Sequence, residues 1–116
     1  MERQPPSQSQ FIPVARLSDL DSRGRAVVTV EGERVALMRV EGELFAFQDT
    51  CPHQGGPLSE GDLEGYVLHC PLHAWPFDVR SGLCPIIRGA RIRTYPVRVV
   101  GEEIQLAPFS GRVAPR

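Results

Sequence analysis

Short apolar runs separated by glycine-containing turns make up most of this chain, and no apolar residues recur at helical spacing over three turns. Runs of about four to eight residues rich in Val, Ile and aromatic side chains are typical of β-strands. The pattern therefore predicts an all-β domain built from small antiparallel sheets. The candidate strands are residues 11–17, 26–30, 34–40, 44–47, 66–70, 94–100 and 103–106.

Glycine marks the predicted hairpin turns, because the chain contains no Asn and cannot use the common Asn-Gly turn. Residues 31–33 and 41–43 both have the sequence Glu-Gly-Glu, and they are expected to join three strands into a meander. Gly101 is expected to join the last two strands. Residues 49–65 and 71–78, by contrast, are predicted to be irregular loops rich in Pro and Gly.

A length of 116 residues is sufficient for one domain and hardly for two. Residues 1–10 are rich in Pro, Gln and Ser and are predicted to be a disordered tail, residues 11–107 the domain, and residues 108–116 a C-terminal tail.

Charge and hydropathy exclude several functions. A net charge of −1 argues against a nucleic-acid binder driven by bulk positive charge. No apolar run approaches the roughly 18 residues of a membrane span, and the N-terminus has no apolar signal region, so a cytoplasmic protein is expected.

Three cysteines in a reducing compartment argue against a disulfide framework and favour a metal site, a reactive thiol or buried packing. Two of them lie in short clusters, Cys51-Pro52-His53 and Cys70-Pro71-Leu72-His73. Each cluster supplies one thiolate and one imidazole from a predicted loop. A two-iron cluster with one Cys-bound and one His-bound iron requires this ligand set. A Cys2His2 zinc site uses the same ligands and remains the chemical alternative.

The two clusters resemble the C-x-H and C-x-x-H motif of the Rieske [2Fe–2S] family, and the resemblance extends over residues 11–107. It implies an all-β Rieske domain that holds one [2Fe–2S] cluster per chain between two loops. Cys51 and Cys70 would bind one iron, and His53 and His73 the other. Further matches to the family are Gly55-Gly56-Pro57-Leu58-Ser59, Trp75, Phe77, Asp78, Gly82 and residues 94–99.

This sequence departs from the cytochrome-complex branch of the family, whose members have an additional cysteine in each loop. Gly56 and Leu72 occupy those two places here, and Ala74-Trp75 replaces a Gly-Ser whose hydroxyl bonds a cluster sulfur. Fewer hydrogen bonds to sulfur predict a potential near the bottom of the Rieske range, which spans about −150 to +300 mV.

The resemblance implies a soluble Rieske ferredoxin that is not itself an enzyme and has no catalytic residues. It would carry single electrons from an NAD(P)H-dependent reductase to a terminal oxygenase of the aromatic ring-hydroxylating type, and a monomer is expected. All three His residues are accounted for, so the chain lacks the two-His, one-carboxylate iron site of an oxygenase. The alternative is the small Rieske-like subunit of an assimilatory nitrite reductase.

Several other residues have two possible roles. Cys84 is expected to be buried packing, and His69 to be structural or solvent-facing, because it should lie on the strand face opposite its neighbour Cys70. Trp75 and Phe77 are expected either to shield the cluster or to pack beneath the second loop. The charged residues Glu60, Asp62, Glu64, Arg80, Arg88, Arg91 and Arg93 form either solvated faces or docking patches for a redox partner.

Overall fold

Ten antiparallel strands in three small sheets form the structure, a computed structural model that describes residues 10–52, 55–72 and 74–107. The first sheet has the order β1-β10-β9, the second β2-β3-β4-β8 and the third β5-β6-β7. Two short 3-10 helices, Leu17–Asp19 and Leu58–Glu60, lie between strands. The strands are β1 Ile12–Arg16, β2 Arg25–Val30, β3 Glu33–Val40, β4 Glu43–Gln48, β5 Asp62–Glu64, β6 Val67–His69, β7 Pro76–Asp78, β8 Thr94–Tyr95, β9 Val97–Val100 and β10 Glu103–Leu106.

Strand β3 is the centre of the molecule, because both of its faces are buried. Alternate side chains of a strand point to opposite faces. Val35 and Leu37 pack with residues of the first sheet such as Ile104. Ala36 and Met38 pack on the other face, in an apolar cluster that includes both cysteines of the predicted loops. The second sheet thus separates two apolar cores. The candidate site lies at the core that contains Ala36, Met38 and the two loop cysteines.

The all-β prediction and the three-strand meander are confirmed, since β2 pairs with β3 and β3 with β4 in antiparallel register. The predicted tails lie largely outside the described residues, so the predicted domain boundaries remain predictions.

Three local predictions were wrong. The predicted loops contain two short strands, β5 and β7, which flank β6 in the third sheet. Three residues are too few to show periodicity. Pro76 is tolerated because it is the first residue of β7, an edge strand, and the sequence alone does not reveal that position. The predicted strand 94–100 divides at Pro96 into β8 and β9, which belong to different sheets. Proline has no N–H to donate to a strand ladder, which explains the division.

The two Glu-Gly turns of the meander have left-handed backbone at both positions. The φ angles are +53° and +82° at Glu31 and Gly32, and +54° and +82° at Glu41 and Gly42. Positive φ at both central residues of a two-residue hairpin loop defines the type I′ turn, for which Asn-Gly is the preferred pair.

Glu41→Asn is expected to stabilise the protein by about 0.5 kcal/mol, because Asn tolerates the left-handed conformation better than Glu. The side chain is exposed, so no packing is lost. Chemical denaturation measures the change, with Glu43→Asn in the adjoining strand as the control that should bring no gain. Equal or lower stability of Glu41→Asn would contradict the assignment of this turn.

Candidate metal centre

The two predicted metal-binding loops have the same backbone hydrogen-bond frame. In the first loop the Cys51 amide donates to the Gly56 carbonyl at 2.8 Å, and the Gly55 amide donates to the Cys51 carbonyl at 2.8 Å. In the second loop the corresponding bonds run from Cys70 to Trp75 at 2.9 Å and from Ala74 to Cys70 at 3.0 Å. The fourth residue after each cysteine has positive φ, +79° at Gly55 and +57° at Ala74.

This shared frame makes the two loops local repeats of one motif. A positive φ is uncommon for alanine and costs about 1 kcal/mol relative to glycine. The conformation at Ala74 is held because its amide closes the loop onto Cys70. The Gly55 amide is likewise engaged with the Cys51 carbonyl, so it is directed to backbone oxygen.

The frames place two buried thiols side by side. Cys51 and Cys70 are 1% and 2% exposed, both are free, and the two side chains are within hydrogen-bonding distance of each other. Burial raises the pKa of the Cys70 thiol; the Leu72 amide, which donates to its sulfur, opposes this, and the Cys51 thiol adds to it. Two adjacent thiolates in a buried site would need a positive charge beside them, which a bound metal ion would supply.

The two loops also contact each other through Gly56 and Leu72. A Cβ added at Gly56 would lie 3.0 Å from Leu72 Cγ and 3.5 Å from Cys70 Sγ. These are the two positions that hold the additional cysteines in the cytochrome-complex branch, and the structure places them together, as that correspondence requires.

A disulfide engineered between these positions is expected to form. In a disulfide the Cβ of one cysteine lies about 3 Å from the partner sulfur, and Leu72 Cγ already lies at that distance. Gly56→Cys with Leu72→Cys should cross-link in air and stabilise the protein by about 2–3 kcal/mol. Thiol titration and thermal unfolding with and without reductant measure this, with Leu72→Cys alone as the control. Two thiols that stay reduced would contradict the geometry.

Asp49 connects the start of the first loop to its end through hydrogen bonds. This carboxylate is fully buried, and its Oδ1 accepts the Ser59 amide at 2.8 Å while its Oδ2 accepts Arg34 Nη2 at 3.0 Å. Its backbone carbonyl accepts the Leu58 amide at 2.6 Å. The carboxylate and backbone of one residue thus join the two ends of the segment that contains Cys51. Sequence reasoning missed Asp49, because nothing in the sequence marks a buried carboxylate two residues before the cysteine of the first loop.

The residues around the thiols are apolar. Phe77 is fully buried in the same cluster as both cysteines, and Trp75 packs partly buried against it. Cys84 is buried there too, as predicted for a packing residue, and it forms no disulfide. His69 is half-buried in β6, paired with Asp62 and Pro76.

The charged residues singled out in the sequence are dispersed over several elements. Asp62 and Glu64 are exposed on the short strand β5, and Arg80 is exposed, ion-paired with Asp78 at 2.8 Å. Arg80 also stacks over the Tyr66 ring at 4.2 Å. These contacts favour solvated faces for this part of the charged set.

The predicted ligands His53 and His73 lie outside the described residues. Within residues 10–52, 55–72 and 74–107, no three His, Cys, Asp or Glu side chains form a metal-binding group. The thiols of Cys51 and Cys70 are therefore the half of the predicted ligand set that the structure describes. Their proximity, burial and apolar surroundings fit a cluster with one thiolate-bound iron.

In the described ranges, no helix has the length and apolar character needed to cross a membrane.

Comparison with known proteins agrees with this site. The family model for the Rieske [2Fe–2S] domain matches residues 10–96. The ferredoxin component of the naphthalene 1,2-dioxygenase system from Pseudomonas putida is 42% identical over 93 residues, which is 78% of this chain and 88% of that protein.

Two solved structures have the same fold. One is a chain from the complex of reduced oxygenase and oxidized ferredoxin in carbazole 1,9a-dioxygenase, with a TM-score of 0.72, 30% identity, and coverage of 84% of this chain and 92% of that one. The other is described as a nitrite reductase (NADPH) small subunit, with a TM-score of 0.74, 28% identity, and coverage of 83% and 96%. From the two-loop site and the match over most of its length, the chain belongs to the Rieske [2Fe–2S] domain family.

Proposed function

We propose that this protein is a Rieske ferredoxin that carries single electrons from an NAD(P)H-dependent ferredoxin reductase to a terminal oxygenase of the aromatic ring-hydroxylating type. The observation that carries the proposal is the 42% identity to a dioxygenase ferredoxin component over 88% of that protein's length. The protein is an electron carrier within an oxidoreductase system and transfers electrons between its partners without converting a substrate.

The ligand assignment within this proposal is Cys51 and Cys70 on one iron and His53 and His73 on the other. Support comes from the matching backbone hydrogen bonds of the two loops, which place the Cys51 and Cys70 thiols next to each other. A [2Fe–2S] cluster with two thiolates and two imidazoles takes up and releases one electron at a higher potential than an all-thiolate cluster.

The residues of this chain contribute shielding and positioning to that chemistry. Phe77 and the other apolar residues of the cluster exclude water from the thiol side of the site. The Leu72 amide donates to Cys70 Sγ, which stabilises negative charge on that sulfur.

A cytoplasmic location also belongs to the proposal. NAD(P)H, the electron source of the proposed reductase, is a cytoplasmic reductant. All three cysteines are unpaired, as is usual for proteins of a reducing compartment.

The second candidate is a fixed small subunit of an assimilatory nitrite reductase, favoured by the structural similarity to the nitrite reductase small subunit. Affinity purification of the native complex distinguishes the two functions. Recovery of a flavin reductase and an oxygenase supports the carrier, whereas stoichiometric recovery of a sirohaem protein supports the subunit and contradicts the carrier. Reconstitution then tests function: the carrier must couple NAD(P)H oxidation by the reductase to turnover of the oxygenase.

A further inference from the structure

The two cysteine loops are both attached to one short segment, residues 58–61, which we call the support turn. At its start, the amides of Leu58 and Ser59 donate to Asp49, two residues before the first cysteine. At its end, Gly61 packs so closely on the His69 carbonyl that a Cβ at Gly61 would overlap that oxygen. His69 directly precedes the second cysteine. A shift of the support turn therefore moves the two loops relative to each other.

Arg25, in strand β2 of the second sheet, binds the support turn. Its Nη1 donates to the Ser59 carbonyl at 3.0 Å and to the Gly61 carbonyl at 2.9 Å. The contact spans 34 and 36 residues of chain and joins β2 to the turn. Ser59 is therefore bound at both ends of its backbone, by Asp49 at the amide and by Arg25 at the carbonyl.

Burying the Arg25 guanidinium in this position costs desolvation free energy. Its Nε is buried without a hydrogen-bond partner in the described residues. Burial lowers the pKa of the guanidinium, and the nearby Arg23 lowers it further. Partial desolvation of a charge is unfavourable unless its contacts compensate. The two backbone carbonyls of the support turn compensate through hydrogen bonds, and the nearby carboxylates of Asp21, Glu60 and Asp62 favour the charged guanidinium as well.

We infer that Arg25 is a positioning residue for the iron–sulfur centre: by binding the support turn, it fixes the spacing between the Cys51 loop and the Cys70 loop. The inference rests on the proposed function, because it assumes that one cluster bridges the two loops. The Arg25 guanidinium hydrogen-bonds the support turn rather than the described predicted ligands Cys51 and Cys70, and Arg25 lies far from the C-x-H and C-x-x-H motif in sequence.

Three variants of the cluster-loaded protein test the inference: Arg25→Met, Arg25→Lys and Arg23→Gln. Arg23 is the matched control, because it belongs to the same region but reaches the turn only through the Glu60 carboxylate, at 3.8 Å. The measurements are the rate of cluster release to an iron chelator, followed by visible absorbance, and the EPR line shape of the reduced protein. Denaturation reports global stability separately.

We expect Arg25→Met to release its cluster roughly tenfold faster, as expected from the loss of hydrogen bonds donated by a charged group. Its EPR lines should broaden, because loops of variable spacing give a distribution of cluster geometries. Arg25→Lys keeps a charged donor and should lie between Arg25→Met and wild type, and Arg23→Gln should be within about twofold of wild type.

Unchanged release and line shape in Arg25→Met, even with lowered global stability, would overturn the inference. If Arg25→Met does not fold, Arg25→Lys serves as the test instead. A wild-type rate of cluster release together with a wild-type EPR line shape in Arg25→Lys would then overturn the inference. Failure of the proposed function is distinguishable, because it would be visible in the wild-type protein as absence of a Rieske spectrum or of electron transfer.

Discussion

Replacing His73 by cysteine is expected to abolish the Rieske spectrum. A third thiolate in place of a neutral imidazole would add negative charge at the iron that His53 and His73 are proposed to bind. Any cluster that survives should shift toward the potential of all-thiolate clusters, about −400 mV. EPR of the reduced protein and protein-film voltammetry measure the two effects. Cys51→Ser and Cys70→Ser should lose the cluster altogether, since each removes one of the two buried thiols proposed to bind the same iron.

Matched controls are available in the same chain. Cys84 is buried in the same apolar cluster as the two proposed ligands, and His69 directly precedes one of them. Cys84→Ser and His69→Gln should keep the Rieske spectrum, although Cys84→Ser places a hydroxyl in an apolar site and should lose about 1 kcal/mol of stability. A wild-type spectrum in His73→Cys, or its loss in Cys84→Ser, would contradict the ligand assignment.

Gly61→Ala is expected to have the second large effect, a loss of about 3 kcal/mol of stability together with most of the bound cluster. The added methyl group would overlap the His69 carbonyl oxygen and also approach the Leu58 carbonyl to 3.2 Å. Both neighbours are backbone atoms and cannot rotate away. Relief therefore requires movement of the support turn or of β6, and each of these leads into a cysteine loop.

The control for this variant is Gly65→Ala. Gly65 lies in the turn between β5 and β6 with a φ of +62°, and a Cβ there would meet nothing within 4 Å. Alanine at that position is strained by about 1 kcal/mol without steric overlap. Iron content after purification and the denaturation midpoint distinguish the two variants. Full cluster occupancy in Gly61→Ala would show that the contact between the support turn and β6 is not needed.

The parts of the fold that sequence predicted well are those whose signals are local. The Glu-Gly turns predicted the β2–β3–β4 meander, and the turn at Gly101 predicted the final hairpin that contains β10. Pro96 accounts for the break in the predicted strand, but the sheet that each half joins is decided by tertiary pairing, which the sequence does not show. Strands as short as β5 are stabilised by their neighbours in the sheet and have no periodic signal of their own.

The residues of the candidate site also fall into a group that the sequence predicted and a group that only the structure revealed. The cysteines were identified because metal ligation requires particular residue types at particular spacings. The residues that position them were not, because Asp49, Arg25 and Gly61 act through backbone groups far along the chain. Such contacts leave no motif, since any sequence with suitable backbone atoms can provide the acceptor. Only the folded arrangement shows that one short turn connects both loops.

The central claim is that this chain holds one redox-active two-iron cluster between the Cys51 and Cys70 loops. Anaerobic reductive titration combined with metal and sulfide analysis of the purified protein tests it most directly. We predict about two iron and about two acid-labile sulfide per chain, and about one electron taken up per chain with the appearance of a Rieske EPR signal. A colourless protein with about one zinc per chain and no electron uptake would contradict the claim.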